Sequence, residues 1–146
     1  MGTTHTAAEI ADFGSVCDWN GDMCGVDMNR DDAQEYYNSI IKMYAEWGVD
    51  FIKVDDIARP YHKAEIEGVQ NAIQASGRDI ILSLSPGEAP LKEAKHLNEY
   101  AHMWRMTDDF GTVGNSLKRC LTIAVIGFRM CVTAVIPTAI CCRLAE

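Results

Sequence analysis

Polar and charged side chains follow three apolar segments of the sequence, at the point where each segment ends. The groups are Lys53, Asp55 and Asp56, then Ser83 and Ser85, then Arg105, Asp108 and Asp109. Two carboxylates at the ends of different strands suit chemistry at a glycosidic bond. One would attack the anomeric carbon, and the other would protonate the leaving oxygen and then activate water. These residue types therefore predict a hydrolytic site built from strand ends.

Two cations accompany the acids. Lys53 lies two residues before Asp55, so both side chains project to the same side of a strand. An ammonium there would keep Asp55 ionised and ready to act as a nucleophile. Arg105 would orient a substrate hydroxyl or hold Asp109 in place.

Other roles for the same acids stay open at this point. Asp56, at a strand end, is at least as well placed to be the N-cap of the next helix, and Asp108 has the character of a solvated loop acid. A metal held by Asp55, Asp56 and Asp109 is another alternative, since hard cations prefer oxygen ligands. The histidines lack the spacing of zinc ligands and are expected at the surface or in packing; they are His5, His62, His96 and His102.

Helices and strands alternate in the segments that must position these residues. Apolar residues recur at helical or strand spacing. The predicted segments are helix 31–48, strand 49–55, helix 62–76, strand 79–84, helix 90–100 and strand 102–106. The alternation predicts an α/β fold with a parallel sheet covered on both faces. Since the polar groups lie at carboxyl ends of strands, we expect an incomplete (β/α)8 barrel, in which such ends build the active site.

Local signals refine these segments. Asp31 and Gln34 predict a capping box, and Gly48 predicts the end of the first helix. Trp47 is expected in the core at that helix end. Cys17 and Cys24 flank a predicted loop, where a disulfide and two free thiols remain equal alternatives.

Composition limits the class of protein. The chain has 146 residues, 48% hydrophobic and 23% charged, as in a globular protein. A formal net charge of -8 argues against nucleic acid as a partner. No cationic segment followed by an apolar run marks a signal peptide at the start, and the localisation stays open, because a full-length parent could be secreted or periplasmic.

Two motifs resemble family 27 of the glycoside hydrolases, the α-galactosidase or melibiase family. WGVDFIKVDD at 47–56 is similar to the fourth-strand motif of that family, and WRMTDD at 104–109 is similar to its sixth-strand motif. The resemblance implies that strands four to six of the family barrel lie within residues 1–110, as a central part of the catalytic domain. It also implies retaining hydrolysis of a terminal α-D-galactoside on a glycan, without a cofactor. The same family includes α-N-acetylgalactosaminidases and β-L-arabinopyranosidases, and a carbohydrate-binding remnant without catalysis is a further alternative.

The resemblance assigns roles to individual residues. Asp55 matches the nucleophile and Asp109 the general acid/base. Lys53 and Arg105 match sugar-binding positions, Trp104 is expected to pack, and Ser85 lies where the family reads the sugar. The sequence departs from the family at Ser83–Gly87, which has neither the Glu nor the small-residue pair of many members. The segments that carry the first three strands of the family have no match in this chain.

Residues 111–146 differ from the rest of the chain. They carry four of the 13 Lys and Arg residues and one of the 21 acidic residues. A membrane segment is disfavoured, because Arg129 and Pro137 interrupt the apolar run. If one T is inserted after the codon of Phe110, permitted codons yield WDSWKLLKAMF and later PDGDML, which resemble the continuation of the family. We therefore expect this tail to be an out-of-frame translation and assign no domain to it.

Overall fold

The computed structural model describes residues 6–18, 20–57, 60–85 and 88–105, and the backbone of 135–136 and 140–142. The chain forms two compact units. The first comprises Met1–Asp50 with Lys63–Ile80, and the second comprises Phe51–His62 with Ile81–Glu146. Each unit is described by itself.

The first unit begins with a β-hairpin. A short helix α1 (Ala7–Ile10) leads into strands β1 (Ala11–Cys17) and β2 (Asn20–Val26), which pair antiparallel with two irregularities in register. Cys17 is buried, Cys24 is exposed, and neither of these two cysteines forms a disulfide. The prediction of a loop around these cysteines was wrong, because the segments on both sides of the turn pair as strands.

Helix α2 (Ala33–Glu46) follows the hairpin. Its N-cap is Asp32 with helical backbone angles and no capping hydrogen bond from the side chain, so the predicted box of Asp31 and Gln34 was wrong. The Asp32 carboxylate instead accepts from Arg30 at 3.2 Å. The Gln34 amide donates to the carbonyl of Gly68 at 2.9 Å. A contact 34 residues away therefore replaces the predicted local one.

The end of α2 is confirmed as predicted. Gly48 has φ 77°, the left-handed conformation that favours glycine after a helix. The amide of Gly48 donates to the carbonyl of Ala45 and that of Val49 to Tyr44, which is the Schellman pattern. Trp47 is exposed at this end and lies against Tyr44, so its prediction as a core residue was wrong.

Arg78 binds the segment that follows α2. Its Nε donates to the carbonyl of Val49 and one Nη to that of Gly48, both at 3.1 Å. The same Nη lies 2.5 Å from an Asp50 carboxylate oxygen. One guanidinium therefore satisfies two carbonyls beyond the end of the helix.

Helix α3 (Lys63–Ser76) packs against α2 through its buried face. Ile66, Val69 and Ile73 are buried as predicted, and Gly77 follows at φ 71°. Gly68 allows close approach, because a Cβ there would lie 3.1 Å from the Tyr37 ring and 2.6 Å from Met28 Cε. Burial, followed by the nearby charge of Glu65, raises the pKa of the Tyr37 phenol.

The second unit contains a five-stranded sheet. Its strands are β3 (Phe51–Val54), β4 (Ile81–Leu84), β5 (Met103–Arg105), β6 (Val135–Ile136) and β7 (Ile140–Cys142), in the order β3-β4-β5-β7-β6. The first three are parallel, which confirms the predicted pairing, while β7 pairs antiparallel with β5 and β6. The two short strands of the tail were not predicted. The described sheet is open, so the incomplete barrel stays a proposal.

The two faces of this sheet differ. Leu82, Leu84 and Trp104 are buried, and the Trp104 indole donates to Asn98 at 3.0 Å, which confirms that Trp104 packs. A 3₁₀ turn (Leu91–Glu93) and helix α4 (Ala94–Tyr100) precede β5. Phe51 and Ile81, which are register partners, are exposed, so the prediction of a sheet covered on both faces was wrong. No helix of the described residues is long and apolar enough to cross a membrane.

Candidate active site

Lys53 and Asp55 form an ion pair at the carboxyl end of β3. Lys53 Nζ lies 3.2 Å from Asp55 Oδ1, and 41% of the Asp55 side chain is exposed. The spacing of two residues brings the charges to the same side, as the sequence predicted. Asp55 is therefore paired with a cation and accessible, as a nucleophilic carboxylate requires.

The sheet aligns three of the predicted site residues. Val54, Leu84 and Trp104 are neighbours in register across β3, β4 and β5. Continuing that register by one residue gives the row Asp55, Ser85 and Arg105. Because neighbouring strands lie about 4.8 Å apart, the outer two backbones of this row are roughly 10 Å apart. The row is short enough for one sugar ring to lie beside all three positions.

Ser85 and Arg105 are tied to the ends of the strands through their backbones. The Ser85 amide donates to the Val54 carbonyl at 2.8 Å, and the Arg105 carbonyl accepts from the Ala89 amide at 3.0 Å. The Ser85 side chain is only 3% exposed, whereas Arg105 is partly exposed. Burial favours Ser85 as a wall of the site and leaves little of its surface for a ligand. Asp108 and Asp109 lie outside the described residues.

The backbone of Asp56 has a conformation that the sequence analysis did not predict. Helix α3 begins at Lys63, seven residues later, so the interpretation of Asp56 as its N-cap was wrong. Asp56 has φ 55° and is followed by Ile57, which is only 4% exposed. A signal was present, since apolar residues at 52, 54 and then 57 break the two-residue period of a strand.

Two histidines hold the chain around the strand ends. The Tyr61 hydroxyl and His96 Nδ1 are hydrogen bonded, and the His96 ring stacks on Tyr100 with centroids 4.6 Å apart. Through this contact the segment after β3 is anchored to α4. His102 Nδ1 accepts from the Leu82 amide at 3.0 Å, which binds the start of β5 to β4. Both histidines therefore have packing roles, as predicted. In the part of the chain that is described, no three His, Cys, Asp or Glu side chains converge as a metal site requires.

Comparison with known proteins identifies the family. The family model described as alpha galactosidase A (Melibiase_2) matches residues 13–139. Alpha-galactosidase 3 of Hypocrea jecorina is 32% identical over an alignment 72 residues long, and the match covers 42% of this chain and 12% of that protein.

Solved structures agree with this match. A family 27 β-L-arabinopyranosidase of Geobacillus stearothermophilus, solved as a D197A variant with arabinose, is 46% identical with a TM-score of 0.82. The match covers 89% of this chain and 31% of that one. A putative α-N-acetylgalactosaminidase of Bacillus halodurans is 47% identical with a TM-score of 0.65, over 86% of this chain and 30% of that one. The chain thus spans about a third of the solved relatives, and it belongs to family 27 of the glycoside hydrolases.

Proposed function

We propose that this chain carries the nucleophile strand of a retaining glycosidase that hydrolyses terminal α-D-galactosides of glycans. The observation that carries the proposal is the Lys53–Asp55 pair, 3.2 Å apart and accessible at the carboxyl end of a parallel strand. Asp55 would attack the anomeric carbon and form a glycosyl-enzyme ester as the bond to the leaving oxygen breaks, while Lys53 binds a sugar hydroxyl and orients the carboxylate through their ion pair. No cofactor enters this reaction.

Asp109 is proposed as the general acid/base. In the first step it would protonate the glycosidic oxygen as the bond to the leaving group breaks. In the second step it would take a proton from the water that attacks the ester, so that configuration is retained. Retaining enzymes hold these two carboxyl groups about 5–5.5 Å apart. Asp109 lies outside the described residues, so its assignment is supported by the WRMTDD motif that follows β5.

Arg105 and Ser85 are proposed as residues of the sugar site. Arg105 occupies the same row as Asp55 and is partly exposed, so it would donate to a sugar hydroxyl or hold Asp109. Ser85 would form part of the wall of the site, because it is almost completely buried. The departure from the family motif at this strand end makes it the place where the choice of sugar would be made.

A second candidate activity is β-L-arabinopyranosidase, favoured by the 46% identity to the enzyme solved with arabinose. The two sugars share the configuration of their rings, and β-L-arabinopyranose lacks only the hydroxymethyl group of α-D-galactopyranose. α-N-acetylgalactosaminidase is a further alternative, since a putative one is 47% identical. Values of kcat/KM for an aryl α-D-galactoside, an aryl β-L-arabinopyranoside and an aryl N-acetyl-α-D-galactosaminide would rank these activities. Galactoside as the poorest of the three would refute the leading proposal.

The division of roles is tested in a full-length, in-frame relative that carries these motifs. Asp55→Asn should abolish glycosyl-enzyme formation, because an amide is a poor nucleophile. Asp109→Asn should retain activity on aryl substrates with activated leaving groups, which need little protonation. Covalent labelling with a 2-fluoro galactosyl probe, followed by peptide mapping, identifies the nucleophile. Equal loss on activated and unactivated substrates in both variants would refute these roles.

The frame change after Phe110 is also a proposal, and the nucleotide sequence decides it. The family match runs to residue 139, so the comparison itself marks no break at Phe110. The proposal predicts that the DNA beyond the codon of Glu146 continues, in the shifted frame, into further sequence of a family 27 enzyme. A stop codon or unrelated sequence in that frame would refute it, as would a relative whose tail matches 111–146 as written.

A further inference from the structure

The side chains at the end of β3 alternate between two environments. Phe51, Lys53 and Asp55 are exposed, whereas Ile52 and Val54 between them are partly buried. This is the two-residue period of a strand with one open face. If the period continued, residue 57 would lie on the exposed face beside Asp55. Ile57 is instead 4% exposed, so the alternation is broken between these two residues.

The break lies at Asp56. Its φ of 55° is in the left-handed region and is the one positive φ of a non-glycine residue among those described. Asp and Asn visit this region more readily than other residues with a Cβ. A left-handed residue rotates the chain, so that the residues before and after it no longer project to the same side. Asp55 therefore remains with Lys53 on the open face while Ile57 enters the core.

We infer that Asp56 is a positioning residue for the nucleophile. The strand period brings the Asp55 carboxylate beside Lys53, and the left-handed backbone of Asp56 keeps it there while Ile57 anchors the chain in the core. The catalytic meaning of this inference rests on the proposed function. Without the left-handed turn, the strand period would place Asp55 and Ile57 on one face, and either the acid would be buried or the isoleucine exposed. Either change would separate the nucleophile from the position that the core fixes.

The backbone of Asp56, not its carboxylate, carries this role. Among the described residues, no hydrogen bond or ion pair of the Asp56 side chain is found, whereas Asp55 is paired with Lys53. Two contacts fix Ile57: the residue is buried, and its carbonyl accepts a hydrogen bond from the His62 amide at 3.0 Å. The chain after the turn is thus fixed, and the conformation of Asp56 allows Asp55 to remain beside Lys53 while Ile57 is buried.

The test compares variants of the 146-residue chain by NMR. Asp56→Asn has the same size and accepts the left-handed conformation, and Asp56→Gly accepts it without strain. Asp56→Val disfavours it, because a β-branched residue with positive φ is strained. Asp56→Ala makes the same comparison if the Asp56→Val chain does not fold. Two quantities are measured in each: the one-bond Cα–Hα coupling of residue 56, which distinguishes positive from negative φ, and the NOE between the Lys53 and Asp55 side chains.

We expect Asp56→Asn and Asp56→Gly to keep both the positive φ and the NOE. Asp56→Val should lose both together, or keep both with a lower unfolding midpoint than Asp56→Asn. Loss of the NOE in Asp56→Asn, where only the charge has changed, would overturn the inference. So would an NOE that survives a negative φ, or Asp56→Val with both signals and an unchanged midpoint. These readouts need no turnover, so a failure to label Asp55 covalently would refute the proposed function and leave this test unaffected.

Discussion

Replacing Arg78 tests how the end of α2 is held in place before β3. The guanidinium donates to the carbonyls of Val49 and Gly48, both at 3.1 Å, and pairs with Asp50 at 2.5 Å. A hydrogen bond from a charged donor contributes about 1.5–3 kcal/mol. Because 38% of the Arg78 side chain is exposed and screened by water, we take a value below that range, about 1 kcal/mol for each carbonyl. The Asp50 side chain is 76% exposed, so the ion pair adds roughly 0–1 kcal/mol.

Arg78→Met should therefore lower the free energy of unfolding by about 2 kcal/mol. Arg78→Lys should cost about half of that, since a single ammonium cannot reach both carbonyls in the geometry of the planar fork. Asp50→Asn is the matched control for the ion pair and should cost less than about 0.5 kcal/mol. Urea unfolding followed by circular dichroism measures all three, and the Arg78→Met loss corresponds to a midpoint lower by about 1 M. The assignment to the carbonyls would be refuted if Asp50→Asn cost as much as Arg78→Met. It would also be refuted if high salt removed the stability difference between Arg78→Met and the unsubstituted chain, because the ion pair would then dominate.

Three further predictions concern packing, pH and activity. Gly68→Ala should destabilise the chain by about 1 kcal/mol despite the better helix propensity of alanine, and by less in a Met28→Ala background, as a double-mutant cycle of urea midpoints would show. Since burial raises the pKa of Tyr37, the unfolded phenol loses its proton first, and stability should fall as pH rises above about 10. Melting curves of Tyr37→Phe should show a smaller alkaline loss, and an equal loss would refute the assignment. Residues 1–146, expressed as they stand, should not hydrolyse an activated aryl α-galactoside. The described sheet is open, and a catalytic site tolerates only about 0.5 Å of misplacement. Turnover that vanishes in Asp55→Asn would contradict this prediction.

Local chemistry explains which elements the sequence predicted. Gly48 and Gly77 end helices because of a backbone angle that belongs to the residue itself. The apolar spacing around Ile66 likewise depends on one helix only, and the Lys53–Asp55 pair follows from the two-residue period of a strand. These predictions, each of which depended on one element, were confirmed.

Predictions failed where distant contacts decided the outcome. The Gln34 amide binds Gly68, so it does not cap its own helix. Trp47 is exposed although its size favours burial. The first hairpin was not predicted, because its strands contain polar residues and pair irregularly. The role proposed for Asp109 rests on the family motif alone, since no local pattern distinguishes an acid/base from a solvated loop acid.

The exposed pair of Phe51 and Ile81 has a consequence for the life of the chain in a cell. Both lie on the open face of the sheet, and β3, which carries Phe51, is an edge strand among those described. Apolar side chains next to unpaired strand groups are what chaperones retain and what templates fibril growth. Recognition of this open face by proteases and chaperones would therefore lower the abundance of a polypeptide that carries it, in addition to the effect of its thermodynamic stability.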